Sequence, residues 1–243
     1  MRAAAAARRR PPAARRFRRP PPHPALAGRE LVAQLAASPR WGRVVAVVRR
    51  ASASSDFPAG AEALVVDFDN LTADAGLRAA LAAAPARTGV FCALGTTRGA
   101  AGSAEAFRKV DYGYVAAAAG AAIAAKTPWF GLVSAVGANA RLWGPSFKLG
   151  HGLLYSKTKG EAEEAVRGAG FARAAIARPG LIERGAAART TEKIFARVMA
   201  SVPAARVAAA LVADAEAALA GGLGAPAGER VIEMAELRAG ASA

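Results

Sequence analysis

Tyr155 and Lys159 lie four apart in the run Tyr155-Ser156-Lys157-Thr158-Lys159. That spacing sets both side chains on one face of a helix, where both can reach a single cofactor. A phenol titrates near pH 10 in water, and an ammonium group one turn away lowers that value. The spacing alone fits a plain surface helix equally well, with the Tyr half-buried and the Lys solvated. Three further stretches frame the pair in one order along the chain. They are Phe91-Cys92-Ala93-Leu94-Gly95-Thr96-Thr97-Arg98-Gly99, then Leu132-Val133-Ser134, and beyond the helix Arg178-Pro179-Gly180.

The elements that must position these residues alternate between strand and helix. Residues 26–37 have helical apolar spacing and stop near Ser38-Pro39. Residues 43–48 form a continuous β-branched run, the mark of a strand buried on both faces of a parallel sheet. Residues 63–67 predict a second strand, 77–84 a helix and 90–94 a third strand ending at Gly95. A helix over 107–125 and a strand over 129–134 follow. The helix of Tyr155 extends to Gly168, with Glu161, Glu163, Glu164 and Arg167 expected on its wet side, and a strand covers 173–177. Helices over 191–199 and 207–219 and a strand over 230–234 fit a small substrate-side cap at about 181–243. The alternation predicts an α/β fold with a doubly wound parallel sheet over residues 25–243.

One part of that fold is missing from the pattern. A doubly wound sheet of this type has a central first strand that feeds a glycine-rich turn into the first helix. Here that helix is preceded by Pro20-Pro21-Pro22-His23-Pro24, and proline lacks the donor that a strand ladder needs. The expectation is a sheet without its first central strand and glycine-rich loop. The strands at Val44 and Val90 would then be either drawn together or separated by a gap.

The four stretches, in their order, resemble the short-chain dehydrogenase/reductases, a Rossmann-fold superfamily, and specifically its small atypical branch of the Tat-interacting-protein type. The resemblance covers about residue 25 to the C-terminus and is most specific from Phe91 to Gly180. It implies that Tyr155 is the general acid/base, that Lys159 activates it and holds the nicotinamide ribose, and that Ser134 orients the substrate carbonyl. Ser134 stands 21 positions before Tyr155, further than is usual in the superfamily. The added residues 140–154 are expected to form a loop over the substrate pocket. Gly28 stands where the last glycine of the GxxGxxG loop would be.

Gly95, Thr96 and Thr97 are expected at the adenine ribose and diphosphate, Asp67 and Phe68 at adenine, and Pro179 and Gly180 beside the nicotinamide. Each has a plainer reading as a turn, cap or strand end. Arg49 and Arg50 end the first surviving strand, where an acid would bind a ribose 2′-hydroxyl and an arginine accommodates a 2′-phosphate. NADP(H) is therefore expected over NAD(H). Cys92, mid-strand, is expected as a small buried apolar residue.

Composition bounds the rest. Apolar residues make up 53% of the chain and aromatics 6%, enough for one domain with a real core. Two His and one Cys cannot build a zinc site of the usual kind or an internal disulfide framework. The formal charge of +15 includes eight arginines before residue 20, with no acid until Glu30, so the domain itself is far less basic and no nucleic acid is expected on it. Residues 1–24 are expected to be a disordered Arg/Ala/Pro-rich tail. Three origins compete for that tail: an organelle transit peptide, an arm for nucleic acid or an acidic partner, or a wrongly assigned first exon.

No apolar run spans a bilayer. The lone Cys fits a reducing compartment, and the cytoplasm is the expected location. A mitochondrion or plastid follows instead if the tail is a transit peptide. The function expected is an NADP(H)-dependent oxidoreductase acting on a carbonyl or alcohol, with a homodimer or a protein partner compatible with the family. The alternatives are a non-catalytic NAD(P)-binding regulator and an inactive chain truncated at its cofactor loop.

Overall fold

The computed structural model describes residues 26–51, 57–83, 85–142, 151–183, 201–221 and 226–240. The expected tail, the proline-rich run before the first helix, most of the added loop and the expected helix over 191–199 lie outside them.

Helix α1 (Leu26–Ala37) leads into strand β1 (Val44–Val48), which pairs in parallel with β2 (Ala61–Val65). Helix α2 (Ala75–Ala82) crosses to β3 (Gly89–Cys92). Short helices α3 (Arg98–Ala101) and α4 (Ala104–Arg108), a π turn (Lys109–Gly113) and α5 (Tyr114–Ala124) then lead to β4 (Trp129–Val133). Helix α6 (His151–Gly168), β5 (Arg173–Ala177), the small parallel pair β6 (Leu181–Glu183) and β7 (Ser201–Pro203), α7 (Ala204–Leu219), β8 (Gly228–Ile232) and α8 (Met234–Ala239) complete the order.

The main sheet runs β3-β4-β5-β8, parallel throughout. Strand side chains alternate between its faces. Trp129, Val133, Ala175 and Ala177 point to one side, where the stripes Ala27, Leu31, Leu35 of α1 and Val207, Ala208, Leu211, Ala215 of α7 close over them. Phe130, Leu132, Ala174 and Ile176 point to the other, against Val115, Ala119 and Ala122 of α5 and Ala162 and Val166 of α6. All five residues of β4 are buried, as a central parallel strand requires. The Trp129 ring lies across Gly131, where a Cβ would meet it at 2.2 Å.

Among the described residues no ladder joins β1 to β3, so the β1-β2 pair and the main sheet are separate. Side chains span the seam. Trp41, just before β1, meets Phe91 of β3 edge-to-face at 5.7 Å. Val44 of β1 shares one apolar cluster with α1 and Trp129. Strand β2 begins two residues earlier than the sequence suggests, at Ala61. The expectation of a cap over 181–243 is corrected in part: α7 packs on the main sheet, and β8 is the strand beside β5 in that sheet.

Candidate functional site

Parallel strands bring their C-terminal ends to one edge of the sheet, the place where ligands bind in open α/β folds. Leu94 and Gly95 follow β3, Ser134 follows β4, Arg178 follows β5, and α6 runs back from that edge carrying Tyr155 and Lys159.

Lys159 is 4% exposed. Its Nζ lies 3.0 Å from Asp111 Oδ1 and donates to the Leu94 carbonyl at 3.4 Å. The other oxygen of Asp111 accepts the Thr96 backbone N–H at 2.8 Å. Burial by itself would lower the Lys159 pKa, but Asp111 and then Tyr155 carry it above the ordinary lysine value. Burial pushes the Asp111 carboxyl up, against the pull of Lys159. Burial also raises Tyr155, with Lys159 acting downward and Asp111 upward. The Tyr155 ring packs near Phe107 at 6.0 Å. A Cβ on Gly95 would stand 3.4 Å from Asp111 and 3.5 Å from Lys159, so this glycine lets the backbone skirt the pair closely.

Ser134 is placed differently from the expectation. It is 4% exposed, and its Oγ donates to Glu163 Oε1 at 2.6 Å. Glu163 also accepts Arg178 Nε at 2.9 Å and Nη2 at 2.6 Å, and Arg167 Nη2 at 3.1 Å. The wet-side assignment of Glu163 is thereby corrected: it is fully buried. Tyr155, Lys159 and Glu163 are spaced four and four, so the helical period alone turns Glu163 inward with the other two. Pro179 is buried and its carbonyl accepts the Val136 N–H at 2.9 Å, while Gly180 N–H faces the Met234 sulfur.

A cavity of about 500 Å3 lies at the ends of β1 and β2, lined by Arg49, Val65, Val66, Asp67, Phe68, Asp69 and Tyr114. Three residues expected at the cofactor, Arg49, Asp67 and Phe68, meet here. The Arg49 guanidinium stands 5.9 Å over the Phe68 ring. Asp67 caps the short turn Phe68–Asn70 by accepting the Asp69 N–H at 3.0 Å. Arg50 is exposed next to it. Thr97 caps α3, accepting from Ala100 N–H at 3.2 Å. Gly28 faces β3, where a Cβ would touch that of Ala93 at 3.6 Å, so it serves helix-on-sheet packing.

Arg49, Asp67 and Phe68 thus meet at one cavity, and Gly95, Asp111 and Lys159 meet beyond the end of β3. Sequence reasoning missed Asp111, Asp69 and Glu163. Only Glu163 carried a signal, its four-residue step from Lys159.

Residues 27–218 match the NAD(P)H-binding family. Protein fmp52, mitochondrial, of Emericella nidulans is 31% identical over 182 residues, covering 73% of each chain. Protein FMP52-1, mitochondrial, of Scheffersomyces stipitis is 46% identical over 92 residues, covering 38% of this chain and 37% of that protein. The match thus spans well under half the length of the second relative. The fold is shared with MoeE5 in complex with UDP-glucose and NAD, at a TM-score of 0.59 and 18% identity over 86% of this chain and 73% of that one. It is shared as well with the UDP-glucuronic acid 4-epimerase of Bacillus cereus in complex with NAD, at 0.60 and 13% over 86% and 74%. The expected cytoplasmic location is corrected by these relatives, which are named mitochondrial. The parallel α/β sheet and the match over 27–218 place this chain in the NAD(P)H-binding family, and its likeness to the Emericella nidulans protein groups it with the fmp52 proteins.

Proposed function

We propose that this protein is an NADP(H)-dependent oxidoreductase that interconverts a carbonyl and an alcohol, with Tyr155 as acid/base. The observation that carries the reading is Lys159, sealed at the sheet edge one helical turn from Tyr155 and held between Asp111 and the Leu94 carbonyl. The bound nicotinamide would supply or accept the hydride. Tyr155 would give its phenolic proton to the substrate oxygen as that oxygen gains charge, and would take it back in the reverse direction. Lys159 would stabilise the phenolate left behind and hold the nicotinamide ribose. Arg49 and Arg50 would receive a 2′-phosphate, with Asp67 and Phe68 at the base, Gly95, Thr96 and Thr97 along the ribose and diphosphate, and Pro179 and Gly180 beside the nicotinamide. The names of the relatives support a mitochondrial setting, which imaging of a C-terminally tagged chain tests.

Calorimetric titration with NADPH and NADH tests the cofactor. NADPH-selective binding is expected, and absence of binding by folded protein overturns the reading. Tyr155→Phe is expected to abolish turnover across an aldehyde and ketone panel while leaving NADPH affinity within about twofold.

One observation favours a second reading, a non-catalytic NAD(P)-binding protein. The Ser134 proton is committed to Glu163, so that hydroxyl is not free to donate to a substrate carbonyl. NADPH binding with no turnover over the same panel would favour it.

A further inference from the structure

The helix that carries Asp111 is not regular there. Over Lys109–Gly113 it widens into a π turn, and the Tyr114 N–H donates to the Lys109 carbonyl, five residues back. In an α-helix, residues five apart point about 140° away from each other. A π turn stacks them instead, and such turns recur at functional sites. Lys109 and Tyr114 show the result: both reach the same carboxylate. Lys109 Nζ lies 2.7 Å from Asp69 Oδ1, and the Tyr114 hydroxyl donates to that same oxygen at 2.5 Å. From between them, Asp111 turns inward to Lys159 and the Thr96 N–H.

We propose that Asp69 is a positioning residue: by gathering Lys109 and Tyr114 it holds the π turn that delivers Asp111 to Lys159. Asp69 and Tyr114 also line the cavity at the strand ends. The base-binding end of the site is therefore tied by one helical turn to the charge partner of the lysine. This inference rests on the proposed function for its meaning, since it assigns Asp69 to the setting of Tyr155 and Lys159. The other local contacts leave the assignment in place. Arg108 pairs with Glu161 at 3.0 Å and lies over the Tyr112 ring at 4.6 Å, tying the start of the turn to α6 without reaching Asp69.

The test reads Tyr155 in cofactor-free protein, so it is independent of whether NADPH binds. The chain has three tyrosines, and 13C-labelled ring carbons follow each from about pH 8 to about pH 12, the range in which phenols ionise. Asp69→Ala is expected to lower the Tyr155 midpoint, in the direction of Asp111→Asn, because loss of Asp69 releases the turn that holds the Asp111 carboxylate on Lys159, whereas Asp111→Asn removes that charge outright. In the Asp111→Asn background, Asp69→Ala is expected to add nothing. Tyr114→Phe, a milder change, is expected to give a smaller shift of the same sign. An unmoved midpoint in Asp69→Ala overturns the proposal. So does an equal shift with Asp111 already replaced, which would mark direct electrostatics. Failure of cofactor binding with the cycle intact would count against the proposed function and leave the Asp69 assignment standing.

Discussion

Asp111 and Lys159 meet at 3.0 Å with both side chains shut away from solvent, and each depends on the other for its charge. Neither ion would be stable alone in that position, since burial acts against both charged forms. The pair sets what Tyr155 feels, because Lys159 pulls its pKa down while Asp111 pushes it up.

Replacing either member should move Tyr155 in a stated direction. Lys159→Met removes the cation and should raise its midpoint further above the ordinary phenol value. Asp111→Asn should lower it. Ring-carbon NMR of the labelled tyrosines reads both, and like-signed shifts would show that the pair does not govern the phenol.

The pH profile of turnover follows from the same direction. Burial holds Tyr155 protonated through neutral pH. Carbonyl reduction, which needs the proton, should stay flat through neutral pH and fall as the phenol ionises. Alcohol oxidation, which needs the phenolate, should rise over that range. Initial rates in both directions across pH check this.

Arg49 and Arg50 are both exposed, but of the two it is Arg49 that lines the strand-end cavity, over Phe68. Arg49→Glu should weaken NADPH binding by about tenfold or more, about 1.4 kcal/mol, and leave NADH within about twofold. Arg50→Glu should have the smaller effect. Equal losses of both cofactors would remove Arg49 from a 2′-phosphate role.

Asp214 of α7 accepts Trp129 Nε1 at 2.9 Å and Arg173 Nη2 at 2.5 Å, and lies 3.3 Å from Arg230. Burial would raise its pKa, but these donors hold it below the ordinary carboxylate range. A lowered folded pKa means stability present above the unfolded value, about 3.9, and lost as pH falls through the folded one. Asp214→Asn should cost about 3 kcal/mol at neutral pH, and the deficit should shrink below about pH 4. Denaturant melts at several pH values measure it.

Gly160 reverses a usual rule. Alanine in a helix interior is worth about 1 kcal/mol over glycine, but a Cβ at Gly160 would lie 2.1 Å from the Ala140 backbone nitrogen. Gly160→Ala should therefore destabilise by about 2 kcal/mol and unseat the backbone after Ser134. A thermal melt with an unchanged or higher midpoint would contradict that contact.

The alternation of strands and helices was legible because β1 is a continuous β-branched run, the later strands are short apolar runs, and the crossover helices show four-residue stripes. Tyr155 and Lys159 were legible for the same reason. Glu163 obeys that period too, yet a carboxylate reads as solvent-facing until Arg178 and Ser134 are seen beside it. Asp111 gave no signal, since a π turn breaks the 3.6-residue period on which helical reading depends. Strand β2 starts at Ala61 because its ladder with β1 begins at the Val44–Ala61 pair, where Ala61 and Glu62 carry no apolar run to mark a strand. The location was misread because one buried cysteine describes redox state, which the cytoplasm shares with other compartments.

The π turn at Lys109–Gly113 also acts as a phase shifter. One extra residue in the coil winds everything C-terminal to it back by about 100° relative to the helix before it. Deleting a single residue there would restore an unbroken screw and keep composition almost unchanged. Lys109 and Tyr114 would then stand four apart on one face, so Tyr114 would stay beside Asp69 and α5 would keep its register against the sheet, while Asp111 alone would lose the wide turn that aims it at Lys159.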